Sequence, residues 1–197
     1  MNKCRKHNAW PNFSLGNHDS PRGTSRFGPK VANNLMNTLV VLLPGTPITY
    51  YGEEIGMLDN KGKMGVMSDK RDPCRSPMQW NKSPHAGTHI FRIPLTQYES
   101  NIPDCFLGFT NGDSTWLPVN ECYNVINVED QLLDKTSPLE TYKAVVQIRR
   151  CHEDLILWGT TSFFSQVSSQ YLIWISAQFP KTICESAYGR LDIYLVI

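Results

Sequence analysis

The chain has 197 residues, 41% of them hydrophobic and 11% aromatic, which is enough apolar mass to bury a core and too mixed a composition for intrinsic disorder. Nineteen basic residues face eighteen acidic ones, a formal net charge of +1, so no strong field exists to recruit nucleic acid or an anionic membrane. No apolar run approaches the ~20 residues of a spanning helix, and Met1 to Trp10 lacks the apolar core of a signal peptide, so this chain predicts no direct membrane contact and shows no export signal.

Taken in chain order, Trp10 to Leu15 is short, apolar and aromatic and reads as a strand. It stops at Gly16-Asn17-His18-Asp19-Ser20-Pro21-Arg22, a loop by its Gly, Asn and Pro content. From Lys30 to Leu43 the residues Val31, Leu35, Leu39 and Leu43 recur every fourth position until Pro44-Gly45, which predicts a helix with one buried face. Ile48 to Tyr51 supplies β-branched and aromatic residues before Gly52-Glu53-Glu54, completing a strand, helix, strand order. Strands of such a βαβ unit run parallel and carry their functional loops at one end, so Asn17-His18-Asp19 and Glu53-Glu54 are expected at one rim.

Asp59 to Pro118 is rich in Gly, Pro, Asn and Ser and is expected to be irregular, as functional loops are. Leu139 to Ile148 has a helical apolar face and ends in Arg149-Arg150. Phe163-Phe164, Tyr171 to Ile175 and Ile193 to Ile197 read as short strands of a small β-domain. The boundary is set at 157, with 1–157 as one unit and 158–197 as part of a second.

Six cysteines, Cys4, Cys74, Cys105, Cys122, Cys151 and Cys184, lack the two- or three-residue spacing of zinc or redox motifs, so no metal cluster is expected. Their even number and the triplets Asn12-Phe13-Ser14 and Asn81-Lys82-Ser83 tilt the reading toward a secreted protein, although Pro84 makes the second triplet a poor acceptor. His85 and His89 stand four apart, but Gly87 between them and the absence of an acidic partner favour a solvated loop over a metal pair. Trp80 and Trp116 have the chemistry of sugar-stacking platforms, yet a single Trp is more often part of a core.

The richest constellation is Asn17, His18, Asp19 and Arg22, which gathers donors, an acceptor and opposite charges into one loop after a buried strand. A carboxylate beside a His and an Arg stays ionised and can accept hydrogen bonds from sugar hydroxyls. The bland alternative is a loop that caps the next helix or forms a surface ion pair. Glu53 and Glu54 do not read as an acid and nucleophile pair, because adjacent residues at a strand end point in opposite directions, which leaves one of them structural.

Together these motifs resemble the maltase and α-glucosidase branch of the α-amylase superfamily, glycoside hydrolase family 13, and especially insect maltases. The resemblance rests on Leu15 to Arg22 with Ser25-Arg26-Phe27-Gly28, then Leu43 to Met57, Arg71 to Trp80, and Thr115 to Asn120. It covers the chain well from Trp10 to Trp158 and thinly beyond, where Gln178 to Arg190 fits poorly. Thr88 also stands where related maltases have an aromatic residue.

The resemblance implies an α/β fold: the last two strands and helices of a (β/α)8 barrel, followed by the start of a small antiparallel β-domain. It implies retaining hydrolysis of α-glucosidic bonds in maltose-like oligosaccharides, without a cofactor or metal. Asp19 then corresponds to the third carboxylate, which stabilises the transition state, His18 to a sugar-binding residue and Arg75 to an arginine facing the non-reducing glucose. Asn17, Arg22 and Glu53 are further candidates. The family's nucleophile and acid/base lie upstream of the Asn-His-Asp motif and have no counterpart here, so the chain is expected to be a C-terminal fragment, inactive alone. The full-length protein is expected to be extracellular or membrane-anchored. Two other classes remain open: a non-catalytic heavy subunit of an amino-acid transporter on the same fold, and a carbohydrate-binding module using Trp80 and Trp116.

Overall fold

The computed structural model describes residues 9–62, 69–87, 115–153 and 156, together with the backbone of 160–168, 170–178 and 190–196. Expectations for Thr88, His89, Cys4, Cys105, Cys184 and most of Gln178 to Arg190 lie outside these residues.

Strand β1 (Asn12–Ser14) is followed by a short helix α1 (Gly23–Phe27), a π-helical stretch (Val31–Met36), helix α2 (Asn37–Leu42) and strand β2 (Thr46–Ile48). The two strands pair in parallel, Asn12 opposite Thr46, Phe13 opposite Pro47 and Ser14 opposite Ile48, so the βαβ order read from the sequence is present. The second strand corrects the expected range of Ile48 to Tyr51. It ends at Ile48 because the Tyr50 amide donates to the Glu53 carboxylate (2.9 Å) and the Glu53 amide to Tyr50 O (3.1 Å), which folds the chain into a turn. Gly52 enables that turn at φ 87°; a β-carbon there would stand 2.8 Å from Arg22 Nη1 and closer still to Met57 Sδ.

The single helix expected over Lys30 to Leu43 keeps its place but changes its winding. Residues Val31–Met36 are π-helical before the α-helical turns begin. The stretch carries Asn33, which packs on Gly56, and leads into Asn37, whose Nδ2 donates to Glu53 O at 2.9 Å. One helix thus reaches both polar anchors beneath the second loop, as π-turns at sites often do.

Helix α3 (Val128–Leu133) is an element that periodicity did not reveal. It starts at Asn127, whose side chain accepts from the Asp130 amide. Helix α4 (Pro138–Cys151) contains the expected Leu139 to Ile148 and begins with Ser137 accepting from the Glu140 amide and Pro138 in the first turn. Val41 and Leu42 of α2 bury against Val145 of α4 and against Ile156, with Tyr142, Val146 and Ile148 packed alongside. A second cluster of Ile55, Met57 and Met78 receives Trp80, Ile126, Val128 and Leu139, so Trp80 takes the core reading. Trp116, in contrast, is 79% exposed.

Arg149 of α4 joins the helix layer to the sheet. Its guanidinium donates to Val41 O, Leu43 O (3.0 Å) and Gly45 O, carbonyls at the end of α2 and in the turn into β2. The backbone of β3 (Thr160–Ser168), β4 (Gln170–Gln178) and β5 (Arg190–Val196) forms an antiparallel sheet in the order β3-β4-β5, with strands longer than the short segments read from the sequence; Ile197 lies outside the described residues.

Candidate active site

The loop after β1 and the turn after β2 meet at one rim, as the βαβ reading requires. Gly16 lies directly over Glu53: a β-carbon on Gly16 would sit 2.7 Å from Glu53 Oε1. Asn17 shapes the loop, its Oδ1 accepting from the Asp19 amide at 2.8 Å. That bond leaves the Asp19 carboxylate at the surface, 52% exposed, where a ligand can reach it.

Three cationic or potentially cationic groups surround this carboxylate. Arg71 Nη1 donates to Asp19 Oδ1 at 2.9 Å, Arg75 Nη2 lies 3.5 Å from the same oxygen, and His18 Nε2 is 3.3 Å from Oδ2. The hydrogen bond from Arg71, helped by the charges of His18, Arg71 and Arg75, outweighs partial burial and holds the carboxyl below its ordinary range. Asp19 is therefore ionised across neutral pH. It can accept hydroxyl hydrogen bonds and stabilise developing positive charge.

Arg75 sits deeper, with only 18% of its side chain exposed, and its Nε donates to His18 O at 2.8 Å. It joins the loop backbone to the short 3-10 turn Asp72–Arg75. The Cys74 thiol of that turn lies 3.7 Å from Asn17 O, and burial pushes it up in pKa. The Tyr51 hydroxyl donates to Ser76 O at 2.7 Å, which fastens the same segment to the turn after β2.

Arg22 and Glu53, two of the further candidates, lie beneath the loop rather than on it, at 1% and 5% exposure. Arg22 Nη1 donates to Tyr51 O at 2.7 Å, its amide donates to Asp59 Oδ1 at 2.9 Å, and its guanidinium lies over the rings of Tyr50 (5.2 Å) and Tyr51 (4.9 Å). Burial raises the pKa of both Glu53 and Glu54. These two carboxyls belong to a turn, not to alternating positions of a strand, so the strand-end argument does not apply to them; both are partly or wholly shielded, and neither stands beside Asp19 as a solvent-facing partner.

The sequence reading overlooked Arg71 and Asp69. Of the three groups around the Asp19 carboxylate Arg71 makes the shortest contact, and Asp69 grips Arg71 through Nε (3.1 and 2.9 Å) and Nη2 (2.6 Å). The signal was faint: Arg71 belongs to the quoted Arg71-Asp72-Pro73-Cys74-Arg75 run, but nothing in the spacing says which of its arginines meets a carboxylate 52 residues earlier. Among the described residues no cluster of three or more His, Cys, Asp or Glu could hold a metal ion. His85 adopts φ 58° in a tight turn, and Cys74, Cys122 and Cys151 are free thiols.

A model of the α-amylase catalytic domain matches residues 1–159. The chain belongs to the α-amylase family. Insect maltases and an α-glucosidase are among its relatives. The chain is 35% identical over 155 residues to Maltase A1 of Drosophila melanogaster, covering 72% of this chain and 23% of that protein. It is 38% identical over 141 residues to the human amino acid transporter heavy chain SLC3A1, covering 68% and 17% respectively. The chain therefore spans under a quarter of these relatives. The trehalose-6-phosphate hydrolase structure of Bacillus licheniformis superimposes with a TM-score of 0.67 at 22% identity, over 98% of this chain and 44% of that one. This likeness shows the fold: the α-amylase-family chain is built as part of a (β/α)8 barrel.

Proposed function

We propose that this chain is the C-terminal part of an α-glucosidase that hydrolyses α-glucosidic bonds of maltose-like oligosaccharides with retention. The observation that carries the reading is the ionised, half-exposed Asp19 carboxylate at the C-terminal rim of two parallel barrel strands, ringed by His18, Arg71 and Arg75. In this role Asp19 holds sugar hydroxyls and stabilises the oxocarbenium-like transition state, His18 binds the same glucose, and Arg75 faces its non-reducing end. Arg22, Asn17 and Glu53 support the loop from behind and below.

Retaining hydrolysis also needs a nucleophile and an acid/base about 5 Å apart. Asp69 is ion-paired with Arg71, and Glu53 and Glu54 are turned inward, so none supplies that pair. The nucleophile and acid come from upstream strands, and the chain alone is inactive. In this reading residues 1–157 close the barrel, 158–197 open a small antiparallel β-domain, and the full-length protein works outside the cell or anchored at its surface. The test is hydrolysis of maltose and p-nitrophenyl α-glucoside by the full-length protein, with β-anomeric substrates as controls. Turnover of the α-anomers supports the reading, and its absence with properly folded protein removes it.

The 38% identity to a transporter heavy chain favours a second reading: a non-catalytic subunit that keeps the barrel as an extracellular platform. Co-purification of the full-length protein with a multi-spanning amino-acid carrier, without α-glucoside turnover, would establish it.

A further inference from the structure

We propose that Arg71, braced by Asp69, is a positioning residue that fixes the rotation of the Asp19 carboxylate. The proposal deepens the α-glucosidase reading and rests on it for its functional meaning. Its structural content stands on the geometry of three side chains.

Asp69 takes one edge of the Arg71 guanidinium. Its two oxygens accept from Nε at 3.1 and 2.9 Å and one of them from Nη2 at 2.6 Å, a fork that fixes the guanidinium plane. Asp69 is itself held, because its Oδ1 accepts from the Arg71 amide at 2.9 Å and its amide donates to Asp72 Oδ2 at 3.0 Å. With Nε and Nη2 committed, Nη1 is directed at Asp19 Oδ1, 2.9 Å away.

Arg75 cannot do the same work. Its Nε is committed to His18 O, and its Nη2 reaches Asp19 only at 3.5 Å, so it holds the loop while Arg71 holds the carboxylate. Oδ1 of Asp19 is thereby engaged from the 69–75 side, and Oδ2 is turned toward His18, whose side chain is 66% exposed. A carboxylate with fixed rotation presents its free lone pairs in one geometry, which is what oriented transition-state stabilisation requires.

A merely structural surface bridge would behave differently. Arg71 and Asp19 are both about half exposed, and exposed ion pairs add little to stability. The pair is therefore expected to matter for turnover and for the ionisation of Asp19 more than for melting.

The experiment uses the full-length protein with Arg71→Ala, Arg71→Lys and Asp69→Asn. Each variant is assayed for kcat and KM on maltose, for thermal midpoint, and for the titration of the Asp19 carboxyl by carbon NMR, assigned by its loss in Asp19→Asn. Among the described residues, the groups facing that carboxyl are His18, Arg71 and Arg75. Arg71→Ala should lower kcat on the order of 100-fold with KM changed far less, and should move the Asp19 titration upward with little change in melting. Added guanidine should restore part of the lost turnover. Arg71→Lys keeps the charge but loses the fork, so Asp19 stays acidic while kcat still falls. Asp69→Asn should give a smaller loss of the same kind, non-additive with Arg71→Ala.

An Asp19 titration and a kcat both unmoved by Arg71→Ala would overturn the proposal. If Arg71→Ala does not fold, Arg71→Lys and Asp69→Asn decide, and wild-type kcat in both overturns it. If the wild-type protein hydrolyses no α-glucoside, the α-glucosidase reading fails, whereas the Asp19 titration still decides whether Arg71 holds that carboxylate.

Discussion

Glu53 stands directly beneath Gly16, with Oε1 2.7 Å from the point that a β-carbon on Gly16 would occupy. The first residue of the Asp19 loop and the turn after β2 therefore fit only because one of them has no side chain. Glu53 cannot swing away freely, since its Oε2 accepts from the Tyr50 amide at 2.9 Å and the residue is 5% exposed.

Gly16→Ala should therefore destabilise the protein by about 1–3 kcal/mol, as overpacked buried positions do, and should disturb the Asp19 loop with it. Adding Glu53→Ala to Gly16→Ala should recover part of the loss, because the clash disappears with the carboxylate. Chemical denaturation of the two singles and the double measures this. Strictly additive effects would show that the two residues do not press on each other.

Glu53 also sets a pH dependence opposite in sign to that of Asp19. Burial raises its folded-state pKa above the value in the unfolded chain, so its contribution to stability is complete below about 4.5 and is lost as pH rises through the folded value. Glu53→Gln should consequently stabilise at pH 7, by on the order of 1 kcal/mol, while keeping an oxygen for the Tyr50 amide. The gain should vanish on acidification. Asp19 and Asp69, whose pKa values are lowered by Arg71, contribute stability above about 3.8 that is lost as pH falls through their folded values. Thermal midpoints of wild type and Glu53→Gln from pH 3 to 8 separate the two trends.

Arg149 ties helix α4 to the start of β2 through the carbonyls of Val41, Leu43 and Gly45. Arg149→Ala should cost about 2–3 kcal/mol, since charge-assisted hydrogen bonds are lost and partly buried carbonyls at a helix end lose their donor. Arg149→Lys, with one compact donor group, should recover only part of that. Urea midpoints of the three proteins check the order wild type, Lys, Ala.

The sequence made the βαβ unit legible because its signals are local. Val31, Leu35 and Leu39 mark a helix face, Pro44-Gly45 ends it, and the two polar loops follow the two strands. The β2 range was misplaced because the carboxylate of Glu53 captures the Tyr50 amide, a side-chain contact that β-propensity at Thr49 to Tyr51 does not register. The π-helical stretch was invisible for a similar reason: it follows where Asn33 and Asn37 meet the second loop, not the apolar period. Helix α3 is too short for periodicity, and only Asn127 three residues before Asp130 announces it.

At the site, Asp19, His18 and Arg75 could be named from their motif, and the structure brings these three together. Arg71 could not be singled out, because its partner is fixed by how the 69–75 segment folds back on the Asn17 loop. Nor does composition tell that Arg22, a polar residue in a polar loop, is 1% exposed with its guanidinium over two tyrosine rings.

The central claim is tested most directly by the turnover of maltose in the full-length protein carrying Asp19→Asn, which keeps the shape of the side chain and removes its charge. The account predicts a fall in kcat of roughly 10²-fold or more with the protein still folded, in line with the loss of a charge-stabilising group. Wild-type kcat in Asp19→Asn would contradict it.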